Sequence, residues 1–423
     1  MRFRYKAAAL MLAAAVLGGC GKTDISEYSE AESEAPKTLT ATVTTVTTTA
    51  PETETATETT TETTTTTKKK KTTTTAAETE PEPETTTAEA TTTAAVTTVP
   101  PDTTTTTTTT HAERPANLAD YMPAYGEWCG NIVVVDRYEG DRIRGLPPFY
   151  GYLSTGQTYA SVLNKYKEMV GSGVNVYNLL CPLASAYYLP AGMENTFTEQ
   201  HGCITNVGDY LNGVVNVDVY DALAAHLDEY IYSRTDHHWQ PLGAYYAAKE
   251  FAAAAGVPFA DLSEYESVFK TDYLGSNYTY SGQIPEFAQH PDTFTYYKPK
   301  NSYKTRYYDG YFSNGYDGSL FFDSMSGAGC YCSFLGGDTQ ICEIDSDVDN
   351  GRVLVMIKDS YGNALVPFLV QSFDKIYVVD HRYTYIKMND LFSRVGATDV
   401  LFGASISSAY ADTRINMIKN LMK

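Results

Sequence analysis

Two short stretches of this sequence could do chemistry together: Asp359-Ser360-Tyr361 and Asp236-His237-His238-Trp239. A serine hydroxyl is a weak nucleophile until a nearby base takes its proton, and a histidine base needs a carboxylate to fix its tautomer. Asp236 and His238, two positions apart on an irregular segment, can turn both side chains to one place. Histidine is scarce, seven in the whole chain, so an adjacent pair beside an aspartate stands out. Each stretch also has a plainer reading. Ser360 would cap the helix that follows it, and Asp236 would cap the helix after a surface loop, as Ser and Asp commonly do. Asp and His also ligate zinc and manganese. The further ordered set of Asp and His motifs that a two-metal phosphoesterase needs is not present. No metal and no other cofactor is expected.

Both stretches need a frame, and the flanking patterns supply one. Residues 352–357 (RVLVMI) read as a buried strand and residues 361–371 as a helix. Ser360 would then stand at the carboxyl end of a strand, where open α/β sheets keep their working sites. The unpaired N–H groups at the helix start could receive a developing oxyanion. On the other side, residues 230–232 are a short extended run into Asp236, and a helix should begin near Pro241 and stop at Gly256. Further strands are expected at 131–136 (NIVVVD), 174–180, 214–219, 375–380 (KIYVVD) and 399–402. Further helices are expected at 155–172, 220–230 and at the carboxyl terminus. Alternating buried strands and helices imply a parallel sheet with helices on both faces. Residues from about 263 to 350 are rich in Tyr, Gly, Ser, Asp and Asn, and read as an insertion of short strands and loops beside that sheet.

The segment Thr235-Asp236-His237-His238-Trp239-Gln240-Pro241-Leu242-Gly243-Ala244 resembles the signature of the bacterial DHHW protein family. So do the run from Lys358 to Leu369 and the block Val378-Val379-Asp380-His381-Arg382-Tyr383. That family is similar to the SGNH-like alginate O-acetyltransferases, whose Asp-x-His precedes the nucleophilic serine in the chain. The resemblance implies a three-layer, parallel-sheet SGNH-hydrolase-like domain carrying a loop- and short-strand-rich insertion. It makes Ser360 the nucleophile, His238 the base and Asp236 the acid that orients the base. His237, Trp239, Asn363, Asp380 and Arg382 become substrate-binding or alternative residues, and Asp380 is the rival of Asp236 for the place behind a histidine. Ordinary SGNH esterases put Gly-Asp-Ser early and Asp-x-x-His late; here the order is reversed, and Lys358 stands where the glycine would be. Gly336-Gly337-Asp338 and Asn363 are candidate oxyanion donors beside the Ser360 N–H. The implied activity is serine acyl transfer or ester hydrolysis on O-acyl groups of a cell-envelope or exported polysaccharide, with a membrane protein as acyl donor in the transferase case. The competing expectation is a glycan- or wall-binding module without turnover. Ser360 Oγ out of reach of a His238 ring nitrogen would favour that second reading.

The amino end sets where this chemistry would operate. A basic start, an apolar run from Ala7 to Gly19 and the sequence Leu17-Gly18-Gly19-Cys20 read as a signal peptide ending in a lipobox, with Cys20 lipidated. Acyl chains on Cys20 would hold the protein to membrane lipid on the outer side of the membrane. Residues 38–110 are almost entirely Thr with Ala, Glu, Pro, Val and one lysine cluster, a composition that buries no core. A coil of about 70 residues reaches roughly 45–50 Å, enough to hold a domain away from its anchor. The organisation is therefore a signal peptide at 1–20, a linker at 21–111 and one globular part at 112–423. A net charge of −20 excludes nucleic acid as a partner. Beyond Cys20, six cysteines remain, Cys129, Cys181, Cys203, Cys330, Cys332 and Cys342, an even number that permits disulfides outside the cell. No CxxC or neighbouring histidine completes a zinc pattern around Cys330 and Cys332.

Overall fold

The structure is a computed structural model that describes residues 122–422. The expected lipobox with Cys20 and the threonine-rich tract at 38–110 lie outside the described residues.

Thirteen strands fall in three sheets among the described residues. β1 (Gly126–Cys129), β2 (Ile132–Val135) and β3 (Arg144–Leu146) form a small antiparallel meander. β4 (Asn175–Cys181) and β5 (Val215–Asn216) belong to the main sheet. β6 (Tyr265–Tyr273) and β7 (Asp292–Pro299) pair only with each other, antiparallel. β8 (Tyr303–Tyr308), β9 (Tyr316–Gly318), β10 (Ile341–Ser346), β11 (Val353–Lys358), β12 (Lys375–Asp380) and β13 (Asp399–Ser405) complete the main sheet. Its order is β5-β4-β13-β11-β12-β10-β8-β9. The five strands from β5 to β12 run parallel, and β10, β8 and β9 add antiparallel pairings at one side.

The runs of β-branched and aliphatic residues explain the parallel part. All seven residues of β13 are buried, as are six of seven in β4, the pattern of strands covered on both faces. Two ring contacts show the cover. Tyr166 of the helix Leu153–Val170 packs edge-on against Phe402, centroids 5.0 Å apart. Phe251 of the helix Pro241–Ala255 packs edge-on against Tyr177, 5.3 Å apart. Tyr177 is the register partner of Leu401, next in chain to Phe402, so the two helices rest on opposite faces. The helix Pro241–Ala255 opens on its proline and ends at Gly256, left-handed with φ of 65°, as the sequence predicts.

The structure departs from the sequence expectations in four places. The strand expected over 131–136 is Ile132–Val135, fully buried, but it lies in the meander, not in the parallel sheet; a continuous apolar run reports burial, not sheet membership. Three strands of the 263–350 stretch, β8, β9 and β10, are hydrogen-bonded into the main sheet rather than standing beside it. The strand expected over 214–219 shrinks to Val215–Asn216, and the helix over 220–230 shrinks to Tyr220–Ala224. The helix after Ser360 is a 3-10 turn, Ser360–Ala364, followed by one short α-turn, Val366–Leu369; Pro367 has no N–H with which to continue a regular ladder.

Candidate active site

Ser360 sits just past the carboxyl end of β11, which lies between β13 and β12 in the parallel set. Asp359 holds the turn that carries it. One Asp359 oxygen accepts from Tyr361 N at 3.0 Å. The other accepts from Ser405 N at 3.0 Å, Ser405 Oγ at 2.7 Å and Ser408 Oγ at 2.8 Å. The turn is thereby bound to the end of the neighbouring strand β13. Burial opposes ionisation of Asp359, but the nearby Arg382 charge and the serine hydroxyls outweigh it and hold the carboxyl below its ordinary range. Gly362 leaves no room for a side chain: a Cβ there would lie 2.5 Å from Lys358 Cβ and 2.8 Å from Gly403 O.

The segment from Asp236 to Trp239 reaches this turn from the other side. His238 Nε2 lies 2.9 Å from Ser360 Oγ, and His238 Nδ1 lies 2.7 Å from Asp236 Oδ1. A carboxylate only accepts, so Nδ1 carries the proton and Nε2 is left as an acceptor facing the Ser360 hydroxyl. Asp236 Oδ1 also accepts from His238 N at 3.0 Å; Oδ2 accepts from Ser276 N at 2.9 Å and Ser276 Oγ at 3.0 Å. Burial pushes the Asp236 carboxyl up, and the His238 and His237 charges with these hydrogen bonds push it further down, well below the carboxylate range. Trp239 Nε1 donates to Tyr361 O at 3.1 Å, and the Tyr361 hydroxyl donates to His237 O. These two bonds staple the segment to the turn that carries Ser360. His237 itself turns away: its Nδ1 is 2.5 Å from Ser276 Oγ, and burial followed by the neighbouring His238 lowers it to about 3.

The remaining sequence-derived residues lie around this centre. Asp380 contacts Lys358 Nζ at 2.7 Å and Arg382 Nε and Nη2 at 2.9 and 2.8 Å. Its carboxylate is committed to two cations and hydrogen-bonds to no histidine among the described residues. Arg382 bridges on to Asp338 at 2.8 Å. Lys358, in the place of the expected glycine, is fully buried under this ion cluster. Asn363 is buried with Nδ2 3.4 Å from Gly337 O. Gly337 N already donates to Phe334 O at 2.9 Å, so it does not supply an oxyanion donor. Asp236, His237 and His238 also offer one ligand atom each within 4.8 Å of one another. A cation there would compete with the Asp236–His238 and His237–Ser276 bonds.

Two features were missed by the sequence reading. Gly275-Ser276-Asn277 cradles Asp236: Asn277 Nδ2 donates to Asp236 O at 2.8 Å, and a Cβ at Gly275 would meet Asp236 Cβ at 2.3 Å. The ring of Tyr331 stacks on the His238 imidazole, 3.8 Å between centroids and 8° from parallel. Its hydroxyl donates to Ser360 O at 3.1 Å and to Tyr361 O at 3.2 Å. Both lie in the polar 263–350 stretch, where no local pattern ties them to residues about 30 to 90 positions away in the chain.

With this geometry in view, the profile of DHHW proteins matches residues 139–379. The chain belongs to the DHHW protein family. It is similar to a crystal structure of a DHHW family protein from Eubacterium siraeum, at 41% identity and a TM-score of 0.67, over 71% of this chain and 99% of that one. This DHHW protein also shares its fold with PatB1 of Bacillus cereus, solved with a sulfonyl adduct, at 16% identity and a TM-score of 0.57, over 70% of this chain and 99% of that one. A second PatB1 structure aligns at 18% identity and a TM-score of 0.53, over 67% and 99% of the two chains. A search of curated proteins found no match. No helix among the described residues of this DHHW protein is long and apolar enough to cross a membrane. Cys129, Cys181, Cys203, Cys330 and Cys342 are buried free thiols.

Proposed function

We propose that this DHHW protein is a serine acyl-transfer enzyme acting on O-acyl groups of a cell-envelope or exported glycan. One observation carries the reading: the unbroken relay from Ser360 Oγ through both His238 ring nitrogens to Asp236, with steps of 2.9 and 2.7 Å. In this reading Ser360 Oγ attacks an acyl carbonyl and its proton passes to His238 Nε2. The Asp236 carboxylate stabilises the imidazolium, and the Ser360 N–H, at the start of a turn where it has no intrahelical acceptor, faces the oxyanion. The leaving alcohol takes the proton from Nε2, which leaves an ester on Ser360. A sugar hydroxyl then resolves that ester in a transferase, or water does in an esterase, with His238 as the base a second time. Helices on both sheet faces support the layered SGNH-like arrangement as the scaffold. Lipidation at Cys20 would anchor the enzyme outside the membrane, and a membrane protein would supply the acyl group to a transferase.

The test uses a fluorophosphonate or sulfonyl fluoride reagent on the purified protein, with peptide mapping. Ser360 should take up a single covalent adduct, and His238→Ala should remove it. Absence of labelling in the folded wild-type protein would favour a glycan-binding module without turnover.

A further inference from the structure

Beyond the relay, the edge of the sheet that carries Ser360 also carries a pair of outward-facing tyrosines. Ile357 of β11, Val379 of β12, Ile341 of β10 and Tyr308 of β8 form one register row across the sheet. β8 and β12 are both antiparallel to β10, so β8 ends at the same edge as β11 and β12. Ser360 lies three residues past Ile357, and Tyr311 lies three residues past Tyr308. Three interstrand steps of about 4.8 Å separate them laterally, about 14 Å. That is a distance a few linked sugar rings span.

The tyrosines are held, not trailing. Gly310 O accepts from Tyr385 N at 2.7 Å and from Ile386 N at 2.8 Å, which pins the β8–β9 turn to the loop that leaves β12. A side chain at Gly310 would collide with Tyr383 O at 2.6 Å and with the Tyr385 ring at 2.7 Å. Asp309 closes the turn from within by accepting from Tyr311 N and Ser313 N, each at 3.0 Å. Beneath it, Phe312 packs on Tyr308 and Tyr377. From this braced base Tyr311 and Tyr385 project at 64% and 56% exposure, ring centroids 5.2 Å apart. The same loop carries Tyr383, 40% exposed, next to the Arg382 that bridges toward Asp338. Large rings left this exposed on a rigid base mark a binding surface better than a packing one.

We infer that Tyr311 and Tyr385 form a shelf that holds a remote stretch of an uncharged pyranose chain while one of its O-acyl or hydroxyl groups reaches Ser360. Aromatic faces stack on the C–H faces of sugar rings, and the phenol hydroxyls reach ring substituents. The net charge of −20 disfavours a polyanionic chain. The inference deepens the acyl-transfer reading and rests on it for the substrate class, but its test does not need turnover.

Titration calorimetry would be run on the full-length Ser360→Ala protein with cellopentaose, chitopentaose and a pentagalacturonate. At least one of the two neutral pentasaccharides should bind, and adding Tyr311→Ala with Tyr385→Ala should weaken it tenfold or more at an unchanged melting temperature. The Tyr311→Phe, Tyr385→Phe pair, which keeps the rings, should retain most of the binding. In the chain with Ser360 intact, the double alanine variant should still turn over 4-nitrophenyl acetate, too small to need the shelf. Binding of neither neutral sugar, equal binding by the double alanine variant, or preference for the galacturonate would overturn the shelf. Lack of 4-nitrophenyl acetate turnover in the wild-type protein would instead count against the acyl-transfer reading alone.

Discussion

At His238 three constraints meet in one ring. Asp236 fixes the Nδ1 proton, Ser360 occupies Nε2, and Tyr331 covers one face. A ring so confined has one hydrogen-bonded path, from Asp236 through Nδ1 and Nε2 to Ser360, and the adjacent His237 is outside it, turned to Ser276. The four residues should therefore separate in kinetics. With an activated acyl ester, Ser360→Ala and His238→Ala should bring turnover to background, and Asp236→Asn should lower it by roughly 100-fold or more. His237→Ala should cost about tenfold or less, since it loses a buried partner of Ser276 and no proton carrier. Rates showing His237 essential and His238 dispensable would reverse the assignment of base, and full activity in Ser360→Ala would end the covalent mechanism.

The elements that meet at this edge bury charge together, and that predicts how the fold answers to pH. His237 and His381 are kept neutral to about 3 and about 4, first by burial. An unfolded chain takes up those protons near pH 6.5. The unfolded state then binds more protons than the folded one, so stability is full above pH 6.5 and falls as pH drops toward 4. Each histidine contributes up to about 1.4 kcal/mol per pH unit to that loss. Asp236, Asp359 and Asp380 are held below the usual carboxylate range. Their contribution is present above about pH 4 and is lost only below it. Denaturant midpoints should thus decline between pH 7 and pH 5, before any carboxylate is protonated. A flat midpoint across that interval would contradict the buried neutral histidines. The strand ends that create this site were partly legible. The run at 375–380 is β12 to the residue, and that at 352–357 is β11 within one residue, because buried parallel strands write continuous apolar runs. β8 and β10 were not placed in the main sheet, because the tyrosine-rich, half-buried alternation of β8 says only that one face is covered and the polar residues of β10 (ICEIDS) break any continuous apolar run. Sheet membership depends on partners far away in the chain.

Across the whole molecule, the amino-terminal part and the globular part should behave independently. Deleting most of residues 38–110 should leave the melting temperature unchanged, because a tract of threonine and small residues contributes no core; a loss of several degrees would contradict this. Cys20→Ser should move the protein from the membrane fraction to a soluble one, and retention through salt washing would point to another anchor. What the sequence by itself determined was the kind of fold and the chemistry-bearing residue types: strand and helix periodicity are local, and the two motif blocks stand out at short range. Only the tertiary structure decided how they meet. It set Asp236 rather than Asp380 against His238, because Lys358 and Arg382 already neutralise Asp380. It also brought Gly275-Ser276-Asn277 and Tyr331 to the site from a stretch that reads as loop. A side chain's partner across many tens of residues follows from sheet order and packing, and neither leaves a local mark in the chain.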